Sequence, residues 1–118
     1  MKTETIVISL GGSVFVQDTI RVDFIRSFIS LLKRYDEDYH FIVVVGGGKM
    51  CRSYQNAAKS LGAENSVDLD WIGIRMTHVN AELFRSALGV SAHKDIILNP
   101  TKRIKTGKIL VGGGWKPG

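Results

Sequence analysis

Apolar residues in this chain fall in two kinds of run. The run TIVISL, which ends at Leu10, and the run HFIVVV at 40–45 are continuous and rich in β-branched side chains. Such runs, apolar on both faces, predict short buried strands of a parallel sheet. Between them Phe24, Ile25, Phe28, Leu31, Leu32 and Tyr35 recur at the i, i+3, i+4, i+7 spacing of an amphipathic helix, predicted over Val22–Tyr35. Strand, helix and strand make a βαβ unit. A second helix is expected from Lys49 to Leu61, with Tyr54, Ala57, Ala58 and Leu61 inward and Gly62 just past its end. A third and longer one is expected from Ser66 to Leu88, closed by Gly89 and turning Leu69, Ile72, Met76, Val79 and Leu83 to the core. KDIILNP at 94–100 and KILVGGG at 108–114 read as two further strands.

Each of three predicted strands runs into glycines: Gly11–Gly12, Gly46–Gly48 and Gly112–Gly114. Glycines let backbone N–H groups approach an oxyanion, and a helix N-terminus beyond them adds partial positive charge. Parallel α/β folds bind ligands at the carboxyl ends of their strands, so three such loops at one edge predict an anion site there. The middle loop is not a phosphate-binding Walker loop, because Met50 follows Lys49 and Val43 stands where a glycine is required. It is not a dinucleotide fingerprint either. Lys49 and Arg52 fall in the first turns of the second helix, where cations oppose the dipole unless an anion faces them.

The long helix carries a stripe of Asp70, Gly73, Thr77 and Asn80 beside its apolar one. These are poor helix formers, so a requirement other than helix propensity placed them. Asp70 could accept hydrogen bonds from hydroxyls such as those of a ribose, or serve as an acid near the helix start. A third face holds Asp68, Trp71, Arg75, His78 and Glu82, spaced for a cation–π contact between Trp71 and Arg75 and a charge pair between His78 and Glu82. An aromatic and an arginine on an outer face point to a subunit contact. The three histidines are isolated from one another, and neither a metal site nor histidine catalysis is expected. Cys51 reads as an inert small hydrophobe.

The 118 residues allow a single domain, with 44% apolar and 23% charged residues. The net charge of +5 comes from Lys and Arg residues scattered along the chain, with no aromatic-interleaved block, so a nucleic-acid partner is not expected. One cysteine excludes an internal disulfide. No apolar run has membrane-spanning length and no signal-peptide pattern is present, so a cytoplasmic protein without a membrane partner is expected.

Four segments in register, VISLGGSVF at 7–15, VVVGGGKMCRSY at 43–54, DWIGIRMTHVNAELFRSAL at 70–88 and VGGGWKPG at 111–118, resemble the amino acid kinase family, and within it the archaeal-type uridylate (UMP) kinases. The resemblance implies a three-layer α/β/α sandwich around a mainly parallel sheet, with an N-terminal lobe for the phosphoryl acceptor and a C-terminal lobe for ATP. It implies the reaction of ATP, carried with Mg2+, and UMP to ADP and UDP, in a dimer-based homo-oligomer, and points to a hexamer for the full-length protein. It places Gly12 and Ser13 by the ATP phosphates, Gly47 by the UMP phosphate, Gly48 and Arg52 by the transferring group, and Asp70 at the UMP ribose. Trp115, Lys116, Pro117 and Gly118 match the start of a segment that closes over UMP. Many members of the family have a lysine where this chain has Ser9; Lys49, Arg52 and Lys116 are the cations that could take its place. In those members the chain continues beyond GGWKPG into the ATP lobe. Residues 1–118 are therefore expected to be a single partial domain, the UMP lobe alone, and inactive by itself. A storage-like, non-catalytic nucleotide- or oxyanion-binding member of the same fold is the alternative.

Overall fold

A computed structural model describes residues 2, 4–102 and 104–117. Strand β1 (Glu4–Leu10) is followed by a single turn of helix, α1 (Gly12–Phe15), and by α2 (Val22–Tyr35). Strand β2 (Tyr39–Val45) leads into α3 (Gly48–Ser60), then α4 (Ser66–Leu88), and β3 (Leu110–Gly112) comes last. The sheet is parallel in the order β1-β2-β3, with β1 paired from Glu4↔Tyr39 to Leu10↔Val45 and β3 from Ile42↔Leu110 to Val44↔Gly112. Among the described residues no helix is long and apolar enough to cross a membrane.

Both long helices begin and end where their boundary residues dictate. The Asn65 side chain accepts a hydrogen bond from the Val67 N–H at 2.8 Å and caps α4, an arrangement worth about 1 kcal/mol. Gly62, at φ +101°, closes α3 with a 3.0 Å bond from its N–H to the Lys59 carbonyl and a 2.9 Å bond from Ala63 to Ala58. That pair of bonds is the Schellman ending, which only a glycine adopts without strain. Gly89, at φ +60°, terminates α4.

The core lies on one face of the sheet. Val43, Val45, Val111 and Ile109 point into it from the sheet side, Leu32 from α2, and Phe84 and Leu88 from α4. Phe84 sits at the centre, its ring 6.3 Å from Phe15 and 5.8 Å from Phe28. The opposite face carries no helix among the described residues: Val7 is 62% exposed, and Ile97, Leu98, Pro100 and Ile104 share a cavity of about 300 Å3 with Val7, Ile42, Val44 and Leu110. The fold is thus α/β with a parallel sheet, and within this chain the sandwich consists of the sheet and one layer of helices.

Three expectations about local structure are corrected. The 94–100 segment is not a strand: it makes a single bridge, Ile97↔Gly112, with a second from Ala92 to Ile109, before Pro100 ends the pairing. In α3 the inward residues are Cys51, Gln55 and Ala58, while Tyr54 and Leu61 are exposed. In α4 the inward face is Gly73, Thr77, Asn80, Ala81, Phe84 and Leu88, while Val79 is 61% exposed and Leu83 is also at the surface. Close packing of α4 against α3 and the glycine loops explains both rotations. Gly73 lies so near α3 that a Cβ on it would fall 3.0 Å from Gln55 Nε2 and 3.1 Å from Cys51 Sγ.

Candidate functional site

The glycine loops meet at the carboxyl edge of the sheet. The Gly46 N–H donates to the Leu10 carbonyl at 2.9 Å, which brings the end of β2 onto the end of β1. Gly12 then touches Gly48 backbone to backbone; a Cβ on Gly12 would lie 1.8 Å from the Gly48 nitrogen. Gly48 itself has φ +74° and faces the Gly12 carbonyl, so both contact and conformation require glycine there. From below, the Asn80 amide, on a side chain 6% exposed, donates to the carbonyls of Gly46 at 2.9 Å and Gly47 at 3.2 Å. With these carbonyls held inward, the free N–H groups that begin α3 stay available to an anion.

The third loop is tied to α4. The Gly114 N–H donates to Thr77 Oγ1 at 2.7 Å, the Thr77 hydroxyl donates to the Ile74 carbonyl at 2.6 Å, and His78 Nε2 lies 2.5 Å from the Gly114 carbonyl oxygen. His78 therefore has no pairing with Glu82, which binds Arg85 instead at 3.1 and 3.2 Å. The tether delivers Lys116 and Pro117 to a cavity of about 400 Å3 that they line together with Asp70, Gly73, Thr77 and Cys51. Gln55 holds its edge by donating to the Leu69 carbonyl at 2.9 Å. Cys51 is half-buried, packed between Gly47 and Gly73.

The sequence-predicted residues therefore divide into groups. Asp70, Lys116 and Pro117 share the cavity; Gly12, Gly47 and Gly48 form the joined glycine loops beside it. Trp115 is exposed and does not line the cavity; the Lys116 ammonium lies 4.4 Å from its ring centroid. Ser13 and Arg52 are exposed on α1 and α3. Gly118 lies outside the described residues. Of the three cations weighed against Ser9, Lys49 is ion-paired to Asp18 at 3.1 Å, Arg52 is exposed and Lys116 lines the cavity. Asn80 and Thr77, in the stripe that helix propensity does not explain, both spend their hydrogen bonds holding the loops.

A family model described as the amino acid kinase family matches residues 4–111. The chain belongs to the amino acid kinase family. Its relatives include the uridylate kinase of Thermococcus onnurineus, 40% identical over 116 residues, which span 96% of this chain and 51% of that protein. The uridylate kinase of Methanospirillum hungatei is 40% identical over 117 residues, 97% of this chain and 49% of the relative. Among solved structures, the uridylate kinase from Archaeoglobus fulgidus superposes with a TM-score of 0.80 at 34% identity, covering all of this chain and 52% of that one. This amino acid kinase chain spans about half the length of the relatives it matches.

Proposed function

We propose that this chain is the phosphoryl-acceptor half of a UMP kinase, acting in the reaction ATP + UMP → ADP + UDP in the cytoplasm. The observation that carries the reading is the cavity that Asp70 and Lys116 both line, beside the joined glycine loops. The two relatives described above are named uridylate kinases. In this reading the N–H groups of the Gly47–Gly48 turn take the UMP phosphate and Asp70 accepts from the ribose hydroxyls. Trp115, Lys116 and Pro117 close over the nucleotide, with Gly118 following them. Gly12, Ser13, Gly48 and Arg52 lie towards the transferring phosphoryl group of ATP. Positioning and fixed donors do most of the work in such a transfer. No cluster of carboxylate, histidine or cysteine ligands for a metal occurs among the described residues. Magnesium would accordingly arrive on the phosphates of ATP.

Thermal unfolding with UMP, CMP, AMP and inorganic phosphate titrated separately tests the acceptor site. UMP should raise the midpoint by several degrees, since ligand at about 100 times Kd adds about 2.7 kcal/mol to the native state. Asp70→Ala should abolish that rise. A folded chain whose midpoint no nucleotide moves would sink the reading. The 118 residues alone should form no UDP from ATP and UMP, because the half of the relatives they do not match is expected to bind ATP. Ser9, at the position of the usual lysine, favours a second reading as a non-catalytic nucleotide-binding or storage member; equal shifts with UMP, CMP and AMP would select it.

We further propose that the protein assembles as a dimer-based oligomer through the outer face of α4. Trp71 and Arg75 stack there at 5.2 Å, and Val67, Val79 and Leu83 stand exposed on the same helix. Val79→Glu should shift the sedimentation coefficient to that of the monomer; an unchanged value would exclude this face.

A further inference from the structure

At the opposite end of the sheet, where the strands begin, lies a cavity of about 870 Å3, twice the size of the one at the glycine loops. Its floor is apolar, formed by Ile42, Ile104 and Leu110, and its rim carries Lys102, Lys105, Lys108 and His40. No carboxylate lines it. Four ion pairs occur among the described residues, at Lys2, Arg26, Lys49 and Arg85, and none involves these three rim lysines. Charges of one sign around a cleft with apolar walls attract an anion into it.

We propose that this cavity is a second ligand site, independent of the acceptor site, for a small molecule bearing two or three linked phosphates on an apolar, planar body. Three lysines on one rim match the several negative charges of linked phosphates better than those of a single phosphate. The apolar floor suits the uncharged part of such a molecule, as in ligand clefts generally, and the volume falls in their usual range. An oligonucleotide fits less well, because no Trp or Tyr lines the cavity and Phe41 is buried, so no platform of successive aromatic rings is offered. The loop bearing the lysines is held in place before any ligand binds. Lys2 donates to the Gly107 carbonyl and, at 3.2 Å, to Asp36 at the end of α2, while Asn99 Oδ1 accepts from the Thr101 N–H at 2.9 Å. With strands of seven residues, the two sites lie roughly 20 Å apart. The upper cavity would hold the substrate and the lower a nucleoside polyphosphate.

Calorimetric titration of the 118-residue chain with inorganic tripolyphosphate and with ATP, at low salt, tests this. Both should bind, ATP more tightly because its base and ribose cover the floor. The triple variant Lys102→Ala, Lys105→Ala, Lys108→Ala should weaken both by about tenfold or more, as expected for three exposed charge-assisted contacts. Asp70→Ala should leave them unchanged. The lysines are exposed, so the triple variant should keep the parent's melting midpoint, measured alongside. Absence of binding, or a triple variant that binds like the parent, overturns the site. Equal affinity for the two probes overturns the role given to the apolar floor.

Discussion

Gly12→Ala should lose more than about 3 kcal/mol of folding stability, above the usual 1–3 kcal/mol of an overpacked core, because the added carbon has only backbone to displace. Its Cβ would lie 1.8 Å from the Gly48 nitrogen, 2.3 Å from Gly48 Cα and 2.7 Å from the Gly47 carbonyl carbon. None of these atoms belongs to a side chain that can turn away, so the loops ending β1 and β2 must separate. Separation breaks the alignment that joins Gly12 to the start of α3, and with it the anion cradle. Gly11 provides the internal control. A Cβ there meets nothing within 4 Å, and its φ of −58° suits alanine. Gly11→Ala should therefore be neutral or stabilising by about 0.4–1 kcal/mol, through a less flexible unfolded chain. Urea unfolding of the two variants beside the parent measures the contrast, and similar midpoints for both would show that the loops are not in rigid contact.

Much of this architecture was legible in the sequence because two signals agreed wherever they occurred together. Continuous β-branched runs gave β1 and β2, and α2 and α4 have the bounds their periodicity and flanking residues predict. The glycines at the strand ends were legible in the composition, and Asp70 and Lys116, singled out separately, line one cavity. What the pattern did not reveal was the rotation of α3 and α4 about their axes. Periodicity pointed to Leu69, Ile72, Met76, Val79 and Leu83 as the inward stripe, whereas the fully buried apolar residues of α4 are Ala81, Phe84 and Leu88. In the upper half the neighbours of α4 are glycine loops and α3, whose closeness leaves room only for Gly73, Thr77 and Asn80. Small polar residues were thus a sign of tight packing with backbone hydrogen bonds, and Val79 and Leu83 were displaced to the surface. The 94–100 segment was overestimated as a strand for a different reason: an apolar run bounded by proline satisfies the strand pattern, yet within it only Ile97 finds a bridge partner, Gly112.

Asn80→Asp should cost about 3–5 kcal/mol near pH 8, the range for an unpaired charge left in a buried position. The substitution preserves shape and changes one group, the amide that donates to the carbonyls of Gly46 and Gly47. An ionised carboxylate in its place offers two lone-paired oxygens to two carbonyl oxygens, with no proton between them, on a side chain 6% exposed in the parent. The neutral acid restores one donor. Burial and the facing carbonyls both raise the folded-state pKa of the introduced group above the unfolded value of about 3.9. A raised folded pKa means that the folded state holds the proton longer, so the variant's relative stability is greatest below the unfolded pKa and falls as pH rises towards the folded one. Urea midpoints of variant and parent at pH 4 and pH 8 should therefore differ least at the lower pH. Asn80→Ala, which removes the donors without adding charge, should lose a smaller, pH-independent amount of about 1–3 kcal/mol. If Asn80→Asp lost no more than Asn80→Ala at pH 8, the amide would not be holding the glycine loop. A loss that follows this order, accompanied by weaker binding of UMP, would tie the geometry of the anion cradle to one buried side chain beneath it.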